Sequence, residues 1–177
     1  YMSIGVNAAH FMISNEMSQC SGTYPAWNCV YRRTWHLMYP TASLVQGAPT
    51  LQTLWSEVDA NRSVPCTYTT KSTDAFWVQR VGDDQLRVWG KREHDGKPIS
   101  RSVKIKTSDN ARSGLQLGGV GIDYTNIGRR PQNAQYAHGK IVFVSNEGRH
   151  WAGAPEPSNC VRLMRIDVSN FFGASGA

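Results

Sequence analysis

Little of this chain is charged, with Asp, Glu, Lys and Arg together making up 18%. Nowhere does it hold an apolar run long enough to cross a bilayer, and it shows no secretory signal peptide. The common enzyme signatures are missing as well: no G-x-S-x-G, no H-E-x-x-H, no P-loop, and no G-x-G-x-x-G opening a helix. The "GGVG" at 118–121 lies inside a strand-like pattern, where close backbone packing or a bulge explains it better than a phosphate cradle. No cysteine pair has C-x-x-C spacing and no histidines stand at finger spacing, which argues against a zinc site. These absences leave no predicted catalytic residue, metal or cofactor.

What is present points elsewhere. The chain of 177 residues suits a single domain, 1–177, large enough to bury a real core. Sixteen glycines, eight prolines and many Ser, Thr and Asn residues indicate a loop-rich, mostly β chain. Nineteen Lys and Arg against thirteen Asp and Glu leave a net charge of +6, which favours contact with anionic polymers or surfaces. The four cysteines are Cys20, Cys29, Cys66 and Cys160. Cys20 and Cys29 flank the turn-rich "SGTYPAWN" and suggest a short disulfide loop, with Cys66 and Cys160 left for a long-range staple. Spacing alone leaves the connectivity open. Disulfides would place the protein in the periplasm, at the cell surface or in the medium. The opening "YMSIGVNAAHF" lacks an initiator methionine and reads as a processed or trimmed start, its anchoring segment gone.

Along the chain, the spacing of Ile4, Ala8, Phe11 and Met12 predicts an apolar helical face over residues 1–18. Residues 20–49 are aromatic-rich and poorly periodic, and read as a Cys-stapled excursion with a strand at Asn28–Trp35. In "PTLQTLWSEVDAN", Thr50 as N-cap and Leu51, Leu54, Trp55 and Val58 at i, i+3, i+4 and i+7 predict a second helix over 50–61. From 63 to 173 the period falls to two, and runs such as "AFWVQRV", "QLRVWGK" and "KIVFVSN" predict an antiparallel meander with a tight turn at "GDD", 82–84. The predicted fold class is therefore α+β, an N-terminal helix packed on an antiparallel β-meander.

The cations form the candidate site. Arg129 and Arg130 follow Gly128, and Arg149 follows Gly148. Lys104 and Lys106, two apart, share one face of their strand, whereas Arg162 and Arg165 point to opposite faces of theirs. Trp151 beside Arg149 offers a stacking surface next to a cation, a pairing that suits single-stranded nucleic acid or sugars. Arg129, Arg130, Arg149, Trp151, Lys104 and Lys106 are thus the predicted polyanion-binding residues. The bland alternative is that glycine ends each strand and arginine solvates the turn. An enzyme reading would need convergent groups, and His138 and His150, in neighbouring loops, are the pair it would require to meet.

The later strands also carry a family resemblance. Ile141, Phe143, Gly148 and Arg149, followed by Cys160, Arg162, Ile166, Val168, Ser169 and Gly173, resemble the end of type IV minor pilins and type II secretion pseudopilins. The resemblance covers the last third of the chain and rests on short motifs. It implies a soluble head whose N-terminal helix lies under a β-meander, with other pilin subunits as partners, DNA as a further partner, and membrane contact only through a missing N-terminal anchor helix. The first expectation is accordingly a non-catalytic filament subunit. A surface binding module for DNA or another polyanion is the second, and a secreted enzyme or toxin the third.

Overall fold

The computed structural model describes residues 2–23, 26, 28–58, 63–107, 114–115, 121–122, 130–150, 152–153, 155 and 158–173. The chain begins as a hairpin. β1 (Met2–Val6) and β2 (His10–Ser21) run antiparallel with Ile4 opposite Ile13. Asn7 builds the turn: its Oδ1 accepts the N–H groups of Ala9 at 2.9 Å and His10 at 2.6 Å, and its amide donates to the carbonyls of Thr73 and Asp74. An Asx turn of this kind offers the backbone an alternative to helix, and it reverses the chain here. The helix predicted over 1–18 is therefore not formed. The apolar residues that fit a helical face also fit two alternating strands, and β-branched Ile4, Val6 and Ile13 favour the extended form.

β3 (Asn28–Pro40) pairs with β2, and β4 (Thr53–Val58) pairs with β3, completing an antiparallel sheet of order β1-β2-β3-β4. The helix predicted over 50–61 is thus a strand at its centre. Trp55 stands opposite His36 in the register and stacks on its ring, centroids 4.4 Å apart. Thr50 caps nothing; its N–H donates to the Ser43 hydroxyl at 3.3 Å. The 20–49 excursion is largely β3, followed by α1 (Thr41–Val45), the one helix among the described residues. Pairing against a ready strand edge outweighs a weak helical preference.

Two further four-stranded sheets follow. β5 (Ser63–Pro65), β7 (Ala75–Arg80), β8 (Gln85–Lys91) and β9 (Ile99–Lys104) form one in the order β5-β7-β8-β9. β12 (Gln132–Ala137), β13 (Lys140–Arg149) and β14 (Ser158–Asp167) form the other, with β6 (Thr67–Tyr68) added parallel to β12. β10 (Gly114–Leu115) and β11 (Gly121–Ile122) make a small separate pair. The single meander predicted over 63–173 is split between these sheets, and the described residues are mostly β, with no long N-terminal helix packed on a sheet.

β7 explains the layering, because all six of its residues are buried. Ala75 and Trp77 face the first sheet and pack with Met12 and Met38. Phe76 and Val78 face the third and join Leu86, Ile141, Phe143 and Met164. The second sheet is therefore the middle of three layers. The early strands crowd together, β1 against β5 and β6, and β12 against β5 and β7. A Cβ on Gly5 of β1 would stand 2.6 Å from the Cys66 carbonyl oxygen. β4, β9 and β14 are the opposite edges of the three sheets.

Cys20 is disulfide-bonded and sits across from Cys29 in the strand register. Cys66 and Cys160 are both free, so the long-range staple is not made. Cys66 lies in the core beside β6 while Cys160 is on β14, at the other edge of the same sheet. Three strand spacings, roughly 14 Å, separate those edges, too far for a disulfide.

Candidate anion-binding furrow between two sheet edges

β9 and β14 are the outer edges of adjoining sheets. Their inward residues Val103, Ile105 and Ile166 rest on the shared core, which leaves a furrow between the two strands. At one end a cleft of about 600 Å³ is walled by Lys106, Glu147, Arg149, His150, Cys160 and Arg162. The next, about 510 Å³ and lined by Lys104, Ile105 and Arg165 among others, shares Arg162 and Leu163 with it. The two are continuous along β14.

Glu147 organises the floor. It is 1% exposed, because the inward alternation Ile141, Phe143, Ser145, Glu147 carries it under the sheet. A carboxylate there is stable only if its oxygens are bonded. The Ser145 hydroxyl donates to it at 2.8 Å, Arg80 at 3.4 Å and Arg162 at 3.2 Å. Arg80 is fixed in turn by donating to the Gly82 carbonyl at 2.5 Å and to that of Asp83, the "GDD" turn. Arg162 also donates to the Lys106 carbonyl at 2.7 Å, and so spans the furrow from β14 to the end of β9. Two guanidiniums share one carboxylate, and Lys106 and Arg149 add exposed positive charge to the same walls. The furrow is electropositive as a result.

The structure thus brings together three of the predicted residues, Lys104, Lys106 and Arg149. Arg130 is elsewhere: it pairs with Glu16 of β2 at 3.2 Å and lines neither cleft. Arg129 and Trp151 lie outside the described residues. Gly148 does not end its strand; it sits within β13 opposite Asn159. Arg162, Glu147 and Arg80 were not in the predicted set. A signal for Glu147 was present in its spacing of two from Ser145 and four from Phe143, which marks a buried acid in need of cationic partners. His138 and His150 do not meet. His138 and Gly139 form the positive-φ turn before β13, and His150 follows its far end, so roughly 35 Å of extended strand separates them.

Among the described residues, no group of three or more His, Cys, Asp or Glu side chains is placed to hold a metal ion, and no helix is long and apolar enough to cross a membrane. The fold implied by the pilin resemblance, a helix under a meander, is not the one observed. The chain matches no protein-family model and no curated protein.

Proposed function

We propose that this protein is a binding module for a linear anionic polymer, held along the furrow between β9 and β14. The observation that supports it is the convergence of Lys104, Lys106, Arg149 and Arg162, drawn from three strands or strand ends, on one continuous groove whose only lining carboxylate in the larger cleft, among the described residues, is already shared by two arginines. Exposed lysines and arginines on a groove of this length bind by charge and release counterions, so affinity tracks salt more than sequence. Arg162, held by Glu147, fixes the groove's width, while Lys104 and Lys106 supply mobile contacts.

The test is fluorescence anisotropy with a labelled single-stranded DNA and, in parallel, a labelled sulfated polysaccharide, each titrated over a range of salt concentrations. Binding should weaken steeply with salt. Lys104→Ala with Lys106→Ala should lower the slope for the DNA by roughly 1.4, the loss of two phosphate contacts. Arg130→Ala, away from the furrow, should leave both affinities unchanged. Absence of binding to either polymer, or equal losses from the lysine pair and from Arg130, would overturn the proposal.

A further inference from the structure

β14 forms one outer edge of the third sheet. β13 pairs with it from Ser158 to Asp167, and among the described residues no strand lies on its other side. In an antiparallel pair, each strand turns the N–H and C=O groups of alternate residues toward its partner. The remaining main-chain groups of β14 point sideways, at the furrow. A row of this kind is a template for another extended backbone, and edges are commonly blunted by a bulge or a proline. β14 has neither: its register with β13 runs without a shift, and Ser158–Asp167 contains no proline. It does carry Arg162 and Arg165. Pairing with the same edge of a second copy would bring these arginines together, whereas an acidic strand would meet opposite charge.

The side chains along that edge set what a new strand must carry. Cys160, Arg162 and Met164 are opposite Glu147, Ser145 and Phe143 and turn inward, to the side where Lys106, Arg149 and Arg162 wall the larger cleft. Val161 and Leu163 turn outward, opposite Asn146 and Val144, and are 69% and 70% exposed. Directly opposed residues of neighbouring strands share a face, and pairs of opposite charge or of two apolar side chains stabilise the sheet. A strand laid on β14 therefore holds every second side chain toward the cations and the others beside Val161 and Leu163. Alternating acidic and apolar residues satisfy both sides. Phosphate or sulfate groups of a nucleic acid or glycan would meet the cations, but neither polymer carries a row of amides spaced to pair with the edge.

We infer that the polymer taken by the furrow is a polypeptide, an extended segment of alternating acidic and apolar residues that adds to β14 as a further strand of the third sheet; this rests on the reading of the furrow as a polyanion site. The added strand extends the four-stranded order β14-β13-β12-β6 at its β14 end and covers the mouth of the furrow. Main-chain hydrogen bonds supply the affinity, and the alternate side chains supply the selection. The cations of the furrow steer the acidic segment to the edge and set it against neutral or basic ones.

Fluorescence anisotropy on the full chain tests this with labelled probes of equal charge: a peptide alternating glutamate and valine and matched in length to β14, the same peptide N-methylated at every residue, and a single-stranded DNA. The unmodified peptide should bind roughly tenfold or more tighter than its N-methylated form, the effect of two or more main-chain hydrogen bonds. It should also keep measurable affinity at a salt concentration that releases the DNA. Hydrogen–deuterium exchange should show β14 gaining protection with the unmodified peptide and not with the DNA, a readout that needs no variant to fold. Equal affinities for the three probes overturn the inference and leave the polymer reading standing, with charge alone holding the ligand. Tighter binding of the DNA than of the unmodified peptide does the same, and so does protection of β4 or β9 in place of β14. Failure of all three probes to bind overturns both readings.

Discussion

Glu147 has 1% of its side chain exposed and is bonded by Arg80, itself 4% exposed, and by the more accessible Arg162. Removing the acid leaves a guanidinium buried without its counter-charge. Glu147→Ala should therefore cost about 3–5 kcal/mol, read as a lower urea midpoint at unchanged slope. Replacing Arg80 and Glu147 together with Met and Leu should recover most of that loss, since an apolar pair carries no desolvation penalty. His10 gives a second single-residue effect. It is 2% exposed, and burial, reinforced by the positive charge of Lys91, lowers its pKa below the ordinary 6.5. Between its lowered folded value and 6.5 the unfolded chain holds the extra proton, so stability rises with pH in that window. Acidification from pH 7.5 through 6.5 and below should thus destabilise the protein, and His10→Gln should flatten that part of the profile in denaturation measured as a function of pH.

Elements hold together here through residues that make room for their neighbours. Gly90 of β8 lies under Phe171, whose ring would collide with any Cβ at that position, and Phe76 would stand 3.0 Å from it. Gly90→Ala should destabilise by about 1–3 kcal/mol through overpacking. Combining it with Phe171→Leu should cost less than the sum of the two single changes, a coupling that a double-mutant cycle by chemical denaturation would measure. β7 shows the same dependence on both sides: a hexapeptide with every residue buried is stable only between two layers. Its Trp77 meets Trp55 edge to face, centroids 4.8 Å apart, and this contact ties β4 to the middle sheet.

For the whole molecule, the stacking of three sheets leaves the electropositive furrow between the outer edges of the second and the third. Salt should weaken polymer binding there by screening and counterion competition, and the polymer affinity of one sample at low and high salt checks it directly.

Alternation was enough to locate β8, β13 and β14, because each sits against a core on one face and its sequence carries that period; β7, buried throughout, and β9, almost wholly exposed, were legible from their β-branched and aromatic residues instead. Local spacing could not decide the first twenty residues or residues 50–61, where the same apolar residues satisfy both a helical face and an alternating strand; Asn7 and the waiting edge of β3 settled them. Nor could it place Arg162 across from Lys106 or separate Arg130 from Arg149, since those neighbours depend on which sheet each strand joins. Side-chain period is a property of a single strand and survives in one dimension. The partner of a strand edge, and the face that ends up covered, are set only when distant segments compete for the same edge and the same core.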